Sequence, residues 1–175
     1  MLRERVTQAS QYSVRAATRS DLPAIQLIYN EGIEDRIATL DTELKSDSEI
    51  FAWFNDHDGR YAVLVAEGGG DIVGWTSLNR YSHRCAYDGV ADLSIYVRRD
   101  KRGTGVGSAL MQEIEEAAKT GGFHKIVLFA FPTNEAGRRL YLNSGFADVG
   151  RFREQGQLDN KYIDVIAMEK ILASD

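Results

Sequence analysis

Two periods of hydrophobic residues divide this chain into predicted elements. Apolar residues that alternate with polar ones, or that form short continuous runs, predict strands, whereas apolar residues spaced three or four apart predict helices. Seven stretches have the strand pattern: residues 12–18, 61–66, 72–78, 90–97, 125–131, 147–154 and 162–170. Four stretches have the helix pattern: residues 21–34, residues 46–56, the segment from the glycine-rich turn at 102–107 to the glycines at 121–122, and residues 134–143.

Turn and capping residues mark where these elements begin and end. Ser20 is expected to cap the first helix, with Pro23 in its first turn. Residues 68–71 and 159–160 are expected to form hairpin turns, and Gly145 to close the last helix. Helices and strands alternate around one sheet, which predicts an α/β or α+β fold.

Length and composition limit the class of protein. The 175 residues suit one compact domain, and 43% hydrophobic with 27% charged residues is typical of a globular protein. No apolar run approaches the ~20 residues of a membrane span, and residues 1–10 lack the apolar stretch of a secretory signal. We therefore expect a cytoplasmic protein without a membrane partner. The net charge of −5 argues against a nucleic-acid partner.

Cysteine and histidine usage argues against disulfide and metal chemistry. Cys85 is the only cysteine, which excludes an internal disulfide and a thiolate-rich zinc site. We expect it to be a small packing residue and not a nucleophile. No metal site is predicted, because none of the three histidines has metal-ligand spacing: His57, His83 and His124. Trp53 and Trp75 are expected in the core.

The glycine-rich turn predicts an anion site. Closely spaced glycines that precede a helix leave backbone N–H groups unpaired, and the helix dipole adds partial positive charge. A P-loop would require Lys-Ser or Lys-Thr here, and neither follows. A dinucleotide fold would require G-x-G-x-x-G, but Ser108 stands where the third glycine of that pattern belongs. On this stretch alone, a tight turn without a ligand remains the alternative.

The turn resembles the pyrophosphate loop of the GNAT acetyltransferases, [RQ]-x-x-G-x-[GA], which Arg102, Gly105 and Gly107 match without a gap. Further on, Asn134, then Arg-Leu-Tyr at 139–141, then Asn-Ser-Gly-Phe at 143–146 resemble the second half of that family. The resemblance implies a single mixed, mostly antiparallel sheet of about seven strands with about four helices. It implies one domain at residues 13–172, after an N-terminal extension at 1–12. It also implies acetyl-CoA as cosubstrate, bound by these residues: Ile95, Tyr96, Val97, Arg102, Gly103, Thr104, Gly105, Val106, Gly107, Ser108 and Asn134.

A narrower resemblance lies within that superfamily. Residues 29–43, 84–92 and 159–165 look like the phosphinothricin and arsinothricin N-acetyltransferases. These enzymes acetylate the α-amino group of small amino acids that resemble glutamate or methionine sulfone. The resemblance therefore implies such an acceptor, a homodimer because relatives pair, and four acceptor-binding residues: Arg84, Tyr87, Arg36 and Thr39. The chain departs from several members at Tyr141, where they have histidine, so a histidine base at that position is not carried over.

Acetyl transfer to an amine requires a proton acceptor and stabilisation of the departing thiolate, but no covalent enzyme intermediate. Asp92 is the candidate general base, directly or through a water, and binding Arg84 or the substrate ammonium is its alternative role. An aspartate of ordinary pKa, ~3.9, is a poor base near neutrality, so the role requires burial or a water relay. Tyr141 is the candidate general acid, with packing under the sheet as its alternative. Asn134 is expected to bind coenzyme A, to cap its helix, or both.

Two other functions are compatible with the sequence. A protein or peptide N-terminal acetyltransferase would use the same fold, but the acidic balance and the segment around Arg84 disfavour it. A sensor that binds acetyl-CoA without turnover would not require Asp92 and Tyr141, both of which are present.

Overall fold

The computed structural model describes residues 11–172, so the N-terminal extension predicted for residues 1–12 lies outside the described chain except for its last two residues. The strands are β1 (Ser13–Ala16), β2 (Val63–Gly68), β3 (Asp71–Arg80), β4 (Val90–Val97), β5 (Lys125–Ala130), β6 (Ala147–Leu158) and β7 (Lys161–Ile171). The helices are α1 (Leu22–Asp35), α2 (Asp47–Asn55), α3 (Val106–Thr120) and α4 (Glu135–Asn143). None of the helices in this described part is long and apolar enough to cross a membrane.

All seven strands form one sheet in the order β1-β2-β3-β4-β5-β7-β6. The β4–β5 pair is parallel, and the other neighbouring strands are antiparallel. The predicted α/β fold, a mixed and mostly antiparallel seven-stranded sheet with four helices, is therefore confirmed.

The first helix begins differently from the prediction. Ser20 is not its N-cap; it lies in a 3₁₀ turn, Arg19–Asp21, that precedes α1. Thr18 caps that turn, and the Asp21 carboxylate accepts the Thr18 N–H at 2.7 Å. The carboxylate also binds Arg15, which holds the pKa of Asp21 at about 2. A buried, paired aspartate thus fixes the start of the helix more firmly than an exposed serine could.

The helices cover the two faces of the sheet in pairs. Helices α3 and α4 pack on one face, where Leu110, Ile114 and Tyr141 are buried against strand residues. Helices α1 and α2 pack on the other face, where Ile25 and Ile50 are buried. Because side chains alternate along a strand, β4 sends Leu93 and Ile95 to the first face, and Asp92, Ser94 and Tyr96 to the second.

Strands β4 and β5 separate from each other partway along their length. They pair only at Val90–Lys125, Ala91–Ile126 and Asp92–Val127. Beyond that point β4 still pairs with β3, and β5 with β7. The edge of β4 from Leu93 to Val97 that faces β5 therefore has no strand partner, and a wedge opens in the middle of the sheet.

Candidate active site

A cleft of about 360 Å³ runs from this wedge to the start of α3, and we refer to it as the coenzyme cleft after the residues predicted to bind the coenzyme. All but two of the residues predicted to bind the coenzyme line it: Ile95, Tyr96, Val97, Arg102, Gly103, Gly105, Gly107, Ser108 and Asn134. The two exceptions, Thr104 and Val106, stabilise the turn through contacts with the rest of the protein. Thr104 donates its hydroxyl to the Lys101 carbonyl at 2.6 Å and lies 2.7 Å from the Tyr12 hydroxyl. Val106 is buried in the core beneath the helix.

Backbone N–H groups at the start of α3 are available to an anion. The first helical hydrogen bond runs from the Ala109 N–H to the Gly105 carbonyl at 3.1 Å, so Val106, Gly107 and Ser108 lie ahead of it. Gly105 has a φ of +98°, a left-handed conformation that glycine adopts without strain. A Cβ at Gly105 would have no protein atom within 4 Å, so the space beside it is open. These features fit the diphosphate of a nucleotide coenzyme.

An ion-pair cluster fixes the turn to the end of α1. Arg102 donates to the Val97 carbonyl at 3.2 Å and pairs with Asp35 at 2.6 Å. Arg99 pairs with the same carboxylate at 2.8 Å and with Glu34 at 3.1 Å. Partial burial works against ionisation of Asp35, but the two arginines outweigh it and hold the pKa of this carboxyl below its usual range. Arg102 therefore positions the turn, and its charge is partly neutralised.

Helix α4 supplies Asn134 and Tyr141 to the cleft. The Asn134 side-chain oxygen accepts the Gly137 N–H at 3.0 Å, so Asn134 is the N-cap of α4, and its predicted contact with the coenzyme remains a prediction. The Tyr141 ring is 8% exposed, and burial raises the pKa of its phenol to about 12. Its hydroxyl has no hydrogen-bond partner within residues 11–172. A protonated, unpaired phenol in this cleft is able to donate a proton to a ligand there.

A second cleft, of about 410 Å³, lies where β3 ends and β4 begins, and we refer to it as the acceptor cleft. It brings Asp92, the candidate base, together with Arg84 and Tyr87, two of the four residues predicted to bind the acceptor. Arg84 is exposed, and within the described chain its guanidinium has no ion pair, with Asp92 or with any other carboxylate. The Tyr87 ring packs edge-on against Tyr81 at 5.6 Å. A free guanidinium beside an aromatic wall suits an acceptor that carries a carboxylate.

Asp92 lies where the wedge between β4 and β5 begins. It belongs to the last pair of residues before β4 leaves β5, and it lines the second cleft. Burial raises the pKa of its carboxyl to about 6, against the opposing effects of Asn79 and the Leu93 backbone N–H. This value is far closer to neutrality than that of an ordinary aspartate, which suits a proton acceptor.

The sequence did not single out the residue that supports Asp92. Asn79, on β3, donates to the Asp92 carbonyl at 3.3 Å and to the Ser94 hydroxyl at 3.0 Å. Its side-chain oxygen lies 2.9 Å from His57 Nε2, and His57 Nδ1 lies 2.8 Å from the Trp53 carbonyl. The only signal that could have identified Asn79 is its place opposite Asp92 on the neighbouring strand, and that place depends on the strand register.

The two other residues predicted for the acceptor lie elsewhere. Arg36 pairs with Asp159 at 3.1 Å and donates to the Ile33 carbonyl at 2.9 Å, so its guanidinium joins the loop after α1 to the β6–β7 turn. The Thr39 hydroxyl accepts the Asp41 N–H at 3.1 Å. Neither lines the cleft that contains Asp92 and Arg84, and their contact with an acceptor remains a prediction.

The prediction that Cys85 packs inside the protein is wrong. It is exposed, because residues 85–87 form a 3₁₀ turn that runs over the surface. Among the residues that the structure describes, no group of three or more His, Cys, Asp or Glu side chains is placed to hold a metal ion.

Comparison with known proteins agrees with this geometry. The sequence profile described as "Acetyltransferase (GNAT) family" matches residues 25–146. YwnH of Bacillus subtilis, a protein named provisionally as a phosphinothricin acetyltransferase, is 34% identical over 87% of this chain and 94% of its own. The L-methionine sulfoximine/L-methionine sulfone acetyltransferase of Pseudomonas aeruginosa is 30% identical over 90% of this chain and 92% of its own.

A solved structure extends the comparison to the fold. The GNAT superfamily phosphinothricin acetyltransferase of Sinorhizobium meliloti, in complex with acetyl-CoA, superposes with a TM-score of 0.88 at 25% identity. The superposition covers 93% of this chain and 89% of that chain.

Proposed function

Since this chain belongs to the acetyltransferase (GNAT) family and is an acetyl-CoA-dependent N-acetyltransferase, we propose that it acetylates the α-amino group of a small amino acid or amino-acid analogue. The transfer is direct, with both substrates bound at once. The observation that carries the proposal is the position of Asp92. Its carboxyl, with a pKa of about 6, lies where β4 leaves β5, in the same cleft as an arginine that has no ion pair among the described residues.

The residues of the two clefts divide the chemistry between them. When bound, acetyl-CoA supplies the thioester carbonyl carbon that the acceptor nitrogen attacks. Asp92 takes the proton that the nitrogen loses, directly or through a water. The carbon–sulfur bond breaks, and Tyr141 donates its phenolic proton to the departing sulfur. The amides at the start of α3 bind the diphosphate, and Arg84 binds the acceptor carboxylate.

The charges of the acceptor cleft favour a small zwitterionic molecule. Arg80 and Arg84 line it together with Asp92, so a carboxylate and an ammonium group both have a counter-charge. The relatives named above act, by their names, on phosphinothricin, methionine sulfoximine and methionine sulfone. An amino acid of this kind, with a free α-amino group, is therefore the proposed acceptor.

We further propose that the chain forms a homodimer through the face of β5, β7 and β6 that no helix covers. Three large apolar residues are exposed on this face: Phe129 at 45%, Phe152 at 47% and Ile171 at 63%. Phe129 pairs with Ala167 of β7, and Phe152 pairs with Val165. Both of these β7 residues are an even number of positions from Ile171, so the three exposed side chains point to the same side of the sheet. The cytoplasmic location and independence of metal ions remain predictions.

A thiol-release assay tests the proposal. Release of coenzyme A would be followed with methionine sulfone, phosphinothricin and common amino acids, each beside its N-acetylated form, and with a short peptide that has a free N-terminus. We expect release with free amino acids, none with the acetylated forms, and an N-acetyl product by mass spectrometry. Turnover confined to peptides would favour a protein N-terminal acetyltransferase, and saturable binding of acetyl-CoA without turnover would favour a sensor.

A further inference from the structure

A third cavity, of about 300 Å³, has no part in the chemistry proposed above. It lies between α1, α2 and strands β3 and β4, and we refer to it as the aromatic chamber. Its walls are the rings of Tyr29, Trp53, Trp75 and Tyr96. The Trp75 ring stacks on Tyr96 at 5.0 Å and meets Trp53 edge-on at 5.2 Å and Tyr29 edge-on at 5.7 Å. Walls of this kind favour an apolar or weakly polar occupant.

One wall of the chamber contains an unsatisfied donor. Trp75 is 3% exposed, and its indole N–H is buried without a hydrogen-bond partner among the described residues. Buried N–H groups are nearly always paired, because leaving one unpaired costs free energy. An occupant that carries a hydrogen-bond acceptor would satisfy it.

The charges in the chamber disfavour an anion. Asp41 and Glu49 contribute two carboxylates, and Lys45 contributes one ammonium group. The Lys45 charge is already opposed by Asp41, whose Oδ2 lies 3.5 Å from Nζ. Asp41 also accepts a hydrogen bond from the Tyr29 hydroxyl. The local excess of one negative charge would repel a carboxylate or phosphinate.

The chamber and the proposed reaction centre lie along the same face of β4. Asp92, Ser94 and Tyr96 are every second residue of β4 and therefore share that face, and Ser94 and Tyr96 line the chamber. A step of two residues along a strand is about 6.6 Å, comparable to the reach of a methionine-length side chain. An amino acid with its ammonium group at Asp92 and its carboxylate at Arg84 would direct its side chain past Ser94 towards Trp75.

We propose that the aromatic chamber binds the side chain of the acceptor and selects a neutral side chain that ends in a hydrogen-bond acceptor, such as a sulfone, over an anionic one. This inference rests on the proposed function and adds the chemical class of the acceptor. Trp75 is the residue that determines the selection for a hydrogen-bond acceptor, and Asp41 the residue that determines the rejection of an anion.

Intrinsic fluorescence reports on the chamber without any turnover. Trp53 and Trp75 are the only two tryptophans of the chain, and both line the chamber. Titration of the wild-type protein with methionine sulfone should give a saturable change in tryptophan emission. Titration with glycine, which has the same ammonium and carboxylate groups but no side chain, should leave the emission unchanged. Binding of methionine sulfone by calorimetry without a change in emission would overturn the proposal.

Two substitutions test the selection itself. Trp75→Phe keeps a ring but removes the N–H, so kcat/KM for methionine sulfone should fall about 3- to 10-fold, as for one lost neutral hydrogen bond. Norleucine, which has no side-chain acceptor, should stay within about twofold. Asp41→Asn keeps an acceptor for Tyr29 but removes the charge, so kcat/KM for phosphinothricin should rise severalfold relative to methionine sulfone.

The outcomes separate this inference from the proposed function. Equal losses for methionine sulfone and norleucine in Trp75→Phe, or a wild-type preference for phosphinothricin, would overturn the chamber proposal while acetylation of amino acids stands. If no amino acid is acetylated, the proposed function fails, and the fluorescence titration decides on the chamber by itself. Asp41→Asn provides the second variant if Trp75→Phe does not fold.

Discussion

Asp92 and Val127 form the last pair of residues that join β4 to β5. One residue further along, the two strands have separated, and the free edge of β4 borders the coenzyme cleft. The aspartate therefore has a fixed position inside the sheet and an open space beside it. The separation of the strands opens the wedge, and the partly buried carboxyl of Asp92 lies where the wedge begins.

The first prediction concerns the glycine turn. Gly105→Val should raise the KM for acetyl-CoA strongly, because its side chain would enter the open space where we expect the diphosphate. Gly69→Val is the matched control, since Gly69 also has a positive φ, +64°, and no atom within 4 Å of a Cβ, but lies in the β2–β3 turn. Both variants place a β-branched residue at a positive φ, so both carry backbone strain. An acetyl-CoA KM that is the same in the two variants would remove the turn from the coenzyme site.

Tyr141→Phe removes one hydroxyl and keeps the ring. We expect kcat to fall about 10²- to 10⁴-fold if the phenol protonates the departing sulfur. The free energy of unfolding should not decrease, because the buried hydroxyl has no partner within the described residues to lose. Tyr162→Phe, at a tyrosine that is 67% exposed on β7, should leave kcat unchanged. A wild-type kcat in Tyr141→Phe, where chemistry limits the rate, would reduce Tyr141 to a packing residue.

Arg84→Ala should raise the KM for the acceptor and leave that for acetyl-CoA unchanged. A hydrogen bond to a charged group contributes about 1.5–3 kcal/mol, which corresponds to about a 10- to 150-fold change in KM. The contact is present before and during the reaction, so kcat should hardly change. Arg84→Lys keeps the charge but loses the bidentate geometry, so its KM for the acceptor should lie between those of the wild type and Arg84→Ala. No effect of Arg84→Ala with any acidic acceptor would contradict its assignment.

The dimer is tested by a charge on the exposed apolar face. Phe152→Asp should convert a dimer to a monomer in sedimentation experiments, because association would bury the new carboxylate. Glu154→Asp, at an exposed residue of the same strand, keeps the charge that is already there and should not change the association. A wild-type protein that sediments as a monomer at micromolar concentration would refute the proposed dimer.

Local patterns in the sequence predicted the elements, because periodicity and turn residues are local properties. The strands and helices lie within a few residues of their predicted places. The glycine turn and Tyr141 line one cleft, and their roles in coenzyme binding and proton donation remain predictions. The start of α1 was mispredicted since the cap depends on Asp21 being buried against Arg15, a contact that brings in β1.

The properties that make the site reactive depend on distant pairings. The separation of β4 from β5 follows from strand register across the whole sheet, and no local period encodes it. The pKa of Asp92 depends on burial, and its neighbour Asn79 is fixed by the β3–β4 register. The sequence placed Trp75 in the core, and it is buried there, but only the structure shows that it also lines a chamber with Tyr29, Trp53 and Tyr96.

The most direct test of the account is the pH dependence of kcat/KM for the acceptor in the wild type and in Asp92→Asn. Burial raises the pKa of Asp92 to about 6, so the carboxylate that accepts a proton is present above that pH and lost below it. The wild-type rate should therefore rise through about pH 6 and then level off.

In Asp92→Asn that step should disappear, kcat should fall about 10²- to 10⁴-fold, and the remaining rate should keep rising with pH as free amine becomes available in solution. Asp88→Asn, at an exposed aspartate of the neighbouring loop, should behave as the wild type. A step at pH 6 that persists in Asp92→Asn, or a variant that differs only in acceptor KM, would contradict the assignment of Asp92 as the base.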